Sequence, residues 1–204
     1  MAITYPLTLT NTPSSVRLSP VNCVAINESP FSGVQQIYQH PAQFWLAEVS
    51  YPPLSRAEAE PLVAQLTSLY GLKGTFLMND PAGATARGVG TGTPLVKGGS
   101  QTGGSIITDG WTVSQTGILK AGDWLQLGSG STARLYKVLA DANSDGSGDA
   151  TFDIWPNLRS SPADDAAITV ASASGVFRLL SNDLSYQINS AVHYGITFAC
   201  REAL

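Results

Sequence analysis

Apolar and polar residues alternate over short runs along most of the chain, which is the period of half-buried strands. ITYPLTLT shows it first, and in QFWLAEVSY the residues Phe44, Leu46 and Glu48 oppose Trp45, Ala47 and Val49. The polar stretches NTPSS, NESPFSG and QHPA read as turns between N-terminal strands. One segment breaks the period. LSRAEAEPLVAQLTSLYG places Leu62, Val63, Leu66, Leu69 and Tyr70 on one helical face. Ser55 and Glu58 have capping-box spacing and Gly71 suits a C-terminal stop, so a helix is expected over 55–70. Pro61 lies too deep for a first-turn proline, which predicts a kink or a late start near Glu60. The strand GTFLMND follows at 74–80.

Residues 81–117 are rich in Gly and Thr, with few bulky apolar residues before Ile106. They read as a long loop or as irregular short strands leading into a second β unit. AGDWLQLGSG, TARLYKVLAD, ATFDIWPNLR and AITVAS each alternate and are bounded by Gly, Asp or Pro. Regular short strands of this kind predict a small barrel or sandwich. The last segment, from GVFRLL to FACREA, reads as strands that return to the N-terminal sheet.

Composition narrows the classes. The chain has 204 residues, 43% hydrophobic and only 13% charged, with a net charge of −4. Such a chain is not built to hold a nucleic-acid backbone, so no specific nucleic-acid recognition is expected. A surface poor in charge is often one covered by copies of itself or by partners. Cys23 and Cys200 lie outside any CxxC or Cys/His cluster and are expected to be small buried hydrophobes. MAITYPLTLT lacks the pattern of a signal peptide, and no apolar run reaches spanning length. Folding in a cytoplasm, without membrane insertion, is the expectation.

Candidate chemistry is sparse. In DANSDGSGD, Asp141, Asn143, Asp145 and Gly146 fit the first half of a calcium loop, and Asp149 takes the ninth position. The twelfth position should be a bidentate Glu but is Phe152, and the flanks are strand-like. The stretch therefore reads as a strand–turn–strand connection. GVGTGTP has no helix start after it, and no GxSxG or P-loop is present. His40 precedes Pro41 in an expected turn, His193 lies in a strand-like run, and no serine motif accompanies either. Asp164 and Asp165 look like solvated turn residues. Asp123 and Asp153 flank tryptophans, so a carboxylate pair or a stacking platform on Trp124, Trp155 or Trp111 is the remaining option for a carbohydrate. Set against it is a plain role for these tryptophans in a core or interface. No cofactor or metal is expected.

FWLAEVSYPPLSRAEAEPLVAQLTSLYGLKGTFLMNDP, with LKAGDWLQLG, RLYKVLADANSDGSGDATFDIWPNLRSS and GVFRLL, resembles a family of tail-tip proteins of long-tailed bacteriophages, similar to distal tail (baseplate) proteins. The resemblance spans roughly 40–180 and carries no catalytic residues. It implies a mainly β fold, with a tail-tube-like β-sandwich and one flanking α-helix over residues 1–82 and 175–204, and an inserted small β-barrel or sandwich over 83–174. It also implies a structural virion protein at the tail tip, assembled in the host cytoplasm. Its partners would be its own copies in a hexameric ring, the tail tube protein and the tail hub protein. Residues lining the DNA passage should then be polar or acidic. The alternative is a glycan-binding module for host attachment.

Overall fold

The computed structural model describes residues 3–204. Its fold is mainly β. The strands are β1 (Leu7–Thr8), β2 (Ser15–Glu28), β3 (Gln35–Ser50), β4 (Phe76–Asn79), β5 (Gly92–Val96), β6 (Ser105–Trp111), β7 (Trp124–Leu127), β8 (Arg134–Val138), β9 (Ala150–Trp155), β10 (Ile168–Thr169), β11 (Ser174–Leu179), β12 (Tyr186–Ile188) and β13 (Tyr194–Glu202). The helix α1 runs over Arg56–Thr67.

The strands divide between two sheets. The first has the order β1-β4-β11-β13-β3-β2, with β12 paired to β13. The second has the order β10-β7-β8-β9-β6-β5, all antiparallel. A bridge between Leu95 and Ala167 brings its two edges together, so this sheet is a nearly closed barrel. Its interior holds Ile106, Trp111, Leu125, Tyr136 and Phe152.

Alternation decides which face of the first sheet is covered. Trp45, Ala47 and Val49 point inward on β3, and Ile196, Phe198 and Cys200 do so on β13. Against them lie Ala59, Leu62 and Leu66 of α1, together with Trp124 and Leu135 of the barrel. The outward face carries Arg17 on β2, Glu48 on β3 and Arg201 on β13, all exposed.

Three local expectations are corrected. QHPA is not a turn, because β3 runs straight through it and only NESPFSG reverses the chain. The β2–β3 register shifts between Asn22 and Val24, opposite this segment, where Pro41 has no N–H to give. The helix starts at Arg56 rather than near Glu60. There the Glu58 carboxylate accepts from the Ser55 backbone N at 3.0 Å and from Oγ at 2.7 Å. Tyr70 leaves the helical face. Its φ of 51° turns it outward while Leu69 stays buried. Residues 81–117 contain β5 and β6 between loops.

Candidate functional site

The longest element pair is also the least covered. β2 and β3 form a hairpin whose distal half leaves the sheet, and every residue from 30 to 42 is exposed. Apolar side chains populate both sides of this arm: Val24, Ile26, Val34, Ile37 and Tyr38 are about half to two-thirds exposed, and Phe31 at the tip is 99% exposed. The tip is well formed. Ser29 N donates to Val34 O at 3.0 Å, and Gly33 N donates to Ser29 O at 2.9 Å. Gly33 has a φ of +66°, a conformation glycine adopts without strain. An isolated two-stranded ribbon is marginal in water, and exposed apolar clusters mark contact surfaces. Sequence reading missed the arm because QHPA resembled a turn. The signal was present in CVAINESPFSGVQQIY, where apolar residues fall at both parities of a strand.

The tryptophans proposed as sugar platforms are placed elsewhere. Trp111 is 4% exposed inside the barrel, its Nε1 donating to Thr108 Oγ1 at 2.8 Å. Trp124 is 3% exposed at the joint between the sheets. Lys137 Nζ covers its ring at 3.9 Å, and Trp45 meets it edge-on at 5.1 Å. Gly83 closes another edge, where a Cβ would stand 2.3 Å from Trp124 Cδ1. Neither ring offers a face to a sugar, which corrects that expectation for both. Trp155 is half-buried and pinned, with Trp45 at 4.4 Å and its Nε1 donating to Asn22 Oδ1 at 2.9 Å. These contacts make a tryptophan joint that ties the barrel to the first sheet.

Beside this joint lies an ion pair. Arg159 Nη2 donates to Glu202 Oε2 at 2.6 Å, and the same carboxylate oxygen accepts from Trp45 N at 3.2 Å. Burial pushes the nearby Tyr136 phenol up, and it pushes the Lys137 ammonium down.

The candidate carboxylates are occupied or apart. Asp123 is 4% exposed and accepts from three backbone N–H groups, those of Arg87 at 2.8 Å, Gly88 at 3.0 Å and Lys120 at 2.9 Å. Asp153 faces outward on β9. Asp164 Oδ1 accepts from Gly98 N at 2.6 Å in an exposed loop, and Asp165 sits beside it at a φ of 58°.

The 141–149 stretch connects β8 to β9. Asp141 accepts from Ala121 N at 2.8 Å, and Asn143 from Gly117 N at 2.7 Å. Asp145 accepts from Ser147 N at 2.8 Å and Asp149 N at 2.9 Å, and these bonds hold its carboxyl below the usual range. Asp149 pairs with Lys97. Gly148, at φ +81° with a Cβ position 2.4 Å from Trp111 O, is the glycine this connection requires, whereas a Cβ at Gly146 would meet nothing. Each of these four side chains therefore gives one oxygen to a local partner. Among the described residues no three His, Cys, Asp or Glu side chains gather as a metal site.

His40 lies in β3 on the arm, 4.9 Å from Tyr38, rather than in a turn, and His193 lies in the turn before β13, where its N donates to Asn189 Oδ1 at 2.9 Å. Cys200 is buried, and burial pushes its thiol up to about 12. Cys23 is only half-buried at the root of the arm, so it is not the core residue expected. No family model and no curated protein matches this sequence.

Proposed function

We propose that the chain is a structural ring component of a bacteriophage tail tip, assembled in the host cytoplasm and carried in the virion. The exposed β2–β3 arm carries this reading. It presents an apolar ribbon with an unpaired outer edge, and a neighbouring copy can bury the ribbon and extend the edge. Repeated head-to-tail contacts of this kind close into rings, and the family resemblance sets the expected number at six. Two further features support it: the low share of charge, and the use of Asp123, Trp111 and Trp124 as internal supports rather than as reactive groups. On this reading the tail tube and tail hub proteins are the axial partners, and the protein is not an enzyme.

The reading fixes an orientation. The outward face of the first sheet carries Arg17, Arg178 and Arg201 against Glu48. It must point away from the DNA passage, because a cationic lining would hold the phosphate backbone. Cross-linking from a cysteine placed at Phe31 tests the contact. It should join neighbouring subunits into closed ladders, whereas exclusive intramolecular or absent linkage would oppose the proposal.

A further inference from the structure

The first sheet contains a mismatch on its outward face. Arg178 of β11 and Arg201 of β13 are direct cross-strand partners. Residues directly opposite in an antiparallel pair share a face, and like charges there are destabilising. Neither has relief. Among the described residues no carboxylate lies within 4.0 Å of either guanidinium. Arg178 Nε is buried with no hydrogen-bond partner. Arg201 is held with its guanidinium 4.8 Å over the Phe44 ring, a stacking that fixes the group.

The pair stands between two hollows. One, of about 600 Å³, is lined by Arg134, Arg159 and Arg201 along with Phe44 and Leu158. The other, of about 390 Å³, is lined by Arg178, Arg201, Leu72 and Leu180. Four of the chain's 11 Lys and Arg residues therefore converge here, in a protein of net charge −4. The one acidic side chain in the linings, Glu202, is 1% exposed and already engaged by Arg159.

We infer that this surface is a docking site for an acidic peptide segment of a partner protein. The donors are arginines, whose planar forks match carboxylates in pairs. Leu72 and Leu180, at 40% and 48% exposed, supply apolar contacts between the charges. Arginine with leucine and phenylalanine is the composition of a protein interface, whereas a phosphate track is polar throughout. A carboxylate set between Arg178 and Arg201 relieves their repulsion. The site adjoins the root of the arm at Pro41 and Ala42 but lies away from the apolar tip at Phe31, and it can be read in a ring or in a monomer.

The test uses the full chain and a fluorescent peptide of alternating Glu and Leu, with a Gln/Leu peptide and a thymidine oligonucleotide as comparators. Anisotropy should show the Glu/Leu peptide binding, weakening with added salt, while the Gln/Leu peptide does not bind. Arg178→Gln and Arg201→Gln should each weaken binding at least about tenfold, whereas Arg17→Gln, on the same face, should leave it unchanged. Both variants should melt no lower than the parent, since each removes a like-charge pair, and this separates lost binding from lost folding. No binding by the parent, equal binding by the variants, or binding of the oligonucleotide in place of the peptide would each overturn the proposal. Loss of self-association in both variants without peptide binding would assign the surface to a second copy and overturn it equally.

Discussion

Arg159 and Glu202 meet at 2.6 Å across the joint between the two sheets. Arg159 follows β9 of the barrel, and Glu202 ends β13 of the first sheet. Their side chains are 12% and 1% exposed. Removing one partner of a buried pair leaves a charge without compensation. Glu202→Ala should cost about 3 kcal/mol of stability in urea unfolding, and the double change Arg159→Met with Glu202→Leu should cost less than the single one. A loss below about 1 kcal/mol in the single variant would mean that the joint does not depend on this pair.

Phe31 should behave in the opposite way. It touches little within its own chain, so Phe31→Ser should change the melting of the isolated subunit by no more than about 0.5 kcal/mol equivalent. Its effect belongs to assembly. Native mass spectrometry should show the assembled fraction falling sharply in the variant. Full assembly of Phe31→Ser would remove the tip from the contact.

Asp123 is expected to be structural. Asp123→Ala leaves the N–H groups of Arg87, Gly88 and Lys120 unpaired in a largely buried corner. The expected loss is about 2 kcal/mol, measured by thermal and chemical unfolding. A variant of unchanged stability would reopen a chemical role for this carboxylate.

Asp145 gives a sign for pH and calcium. Its carboxyl is held below the ordinary value of 3.8, first by the backbone N–H of Asp149 and then by that of Ser147. A depressed carboxylate contributes stability that is present above its unfolded value and is lost as pH falls through the folded one. NMR of the Asp149 and Ser147 amides should therefore show a titration midpoint below 3.8. The same spectra should not move when millimolar calcium replaces chelator. A calcium-dependent shift at Asp141, Asn143 and Asp145 would contradict the turn assignment.

Much of the fold was legible because alternation is a local signal. QFWLAEVSY and ATFDIWP gave strands, Ser55 with Glu58 marked the helix although Pro61 pointed to a kink or a later start, and DANSDGSGD gave a connection. What escaped depended on contacts between distant residues. Trp124 stayed open between a stacking platform and a core or interface role because sequence cannot show Lys137, Gly83 and Trp45 closing over it. QHPA hid the arm because proline and histidine imitate a turn, while a register shift opposite them carried the strand through. The Arg178–Arg201 pair was invisible until β11 and β13 were set in register.

Assembly through the β2–β3 arm shows itself first in the mass of the particle. Size exclusion coupled to light scattering, with negative-stain images of the main peak, should be run on the parent and on Phe31→Ser over a range of concentrations. The parent should form a closed ring and the variant smaller species. A parent that stays monomeric at every concentration, alone and with tail tube protein added, would contradict it.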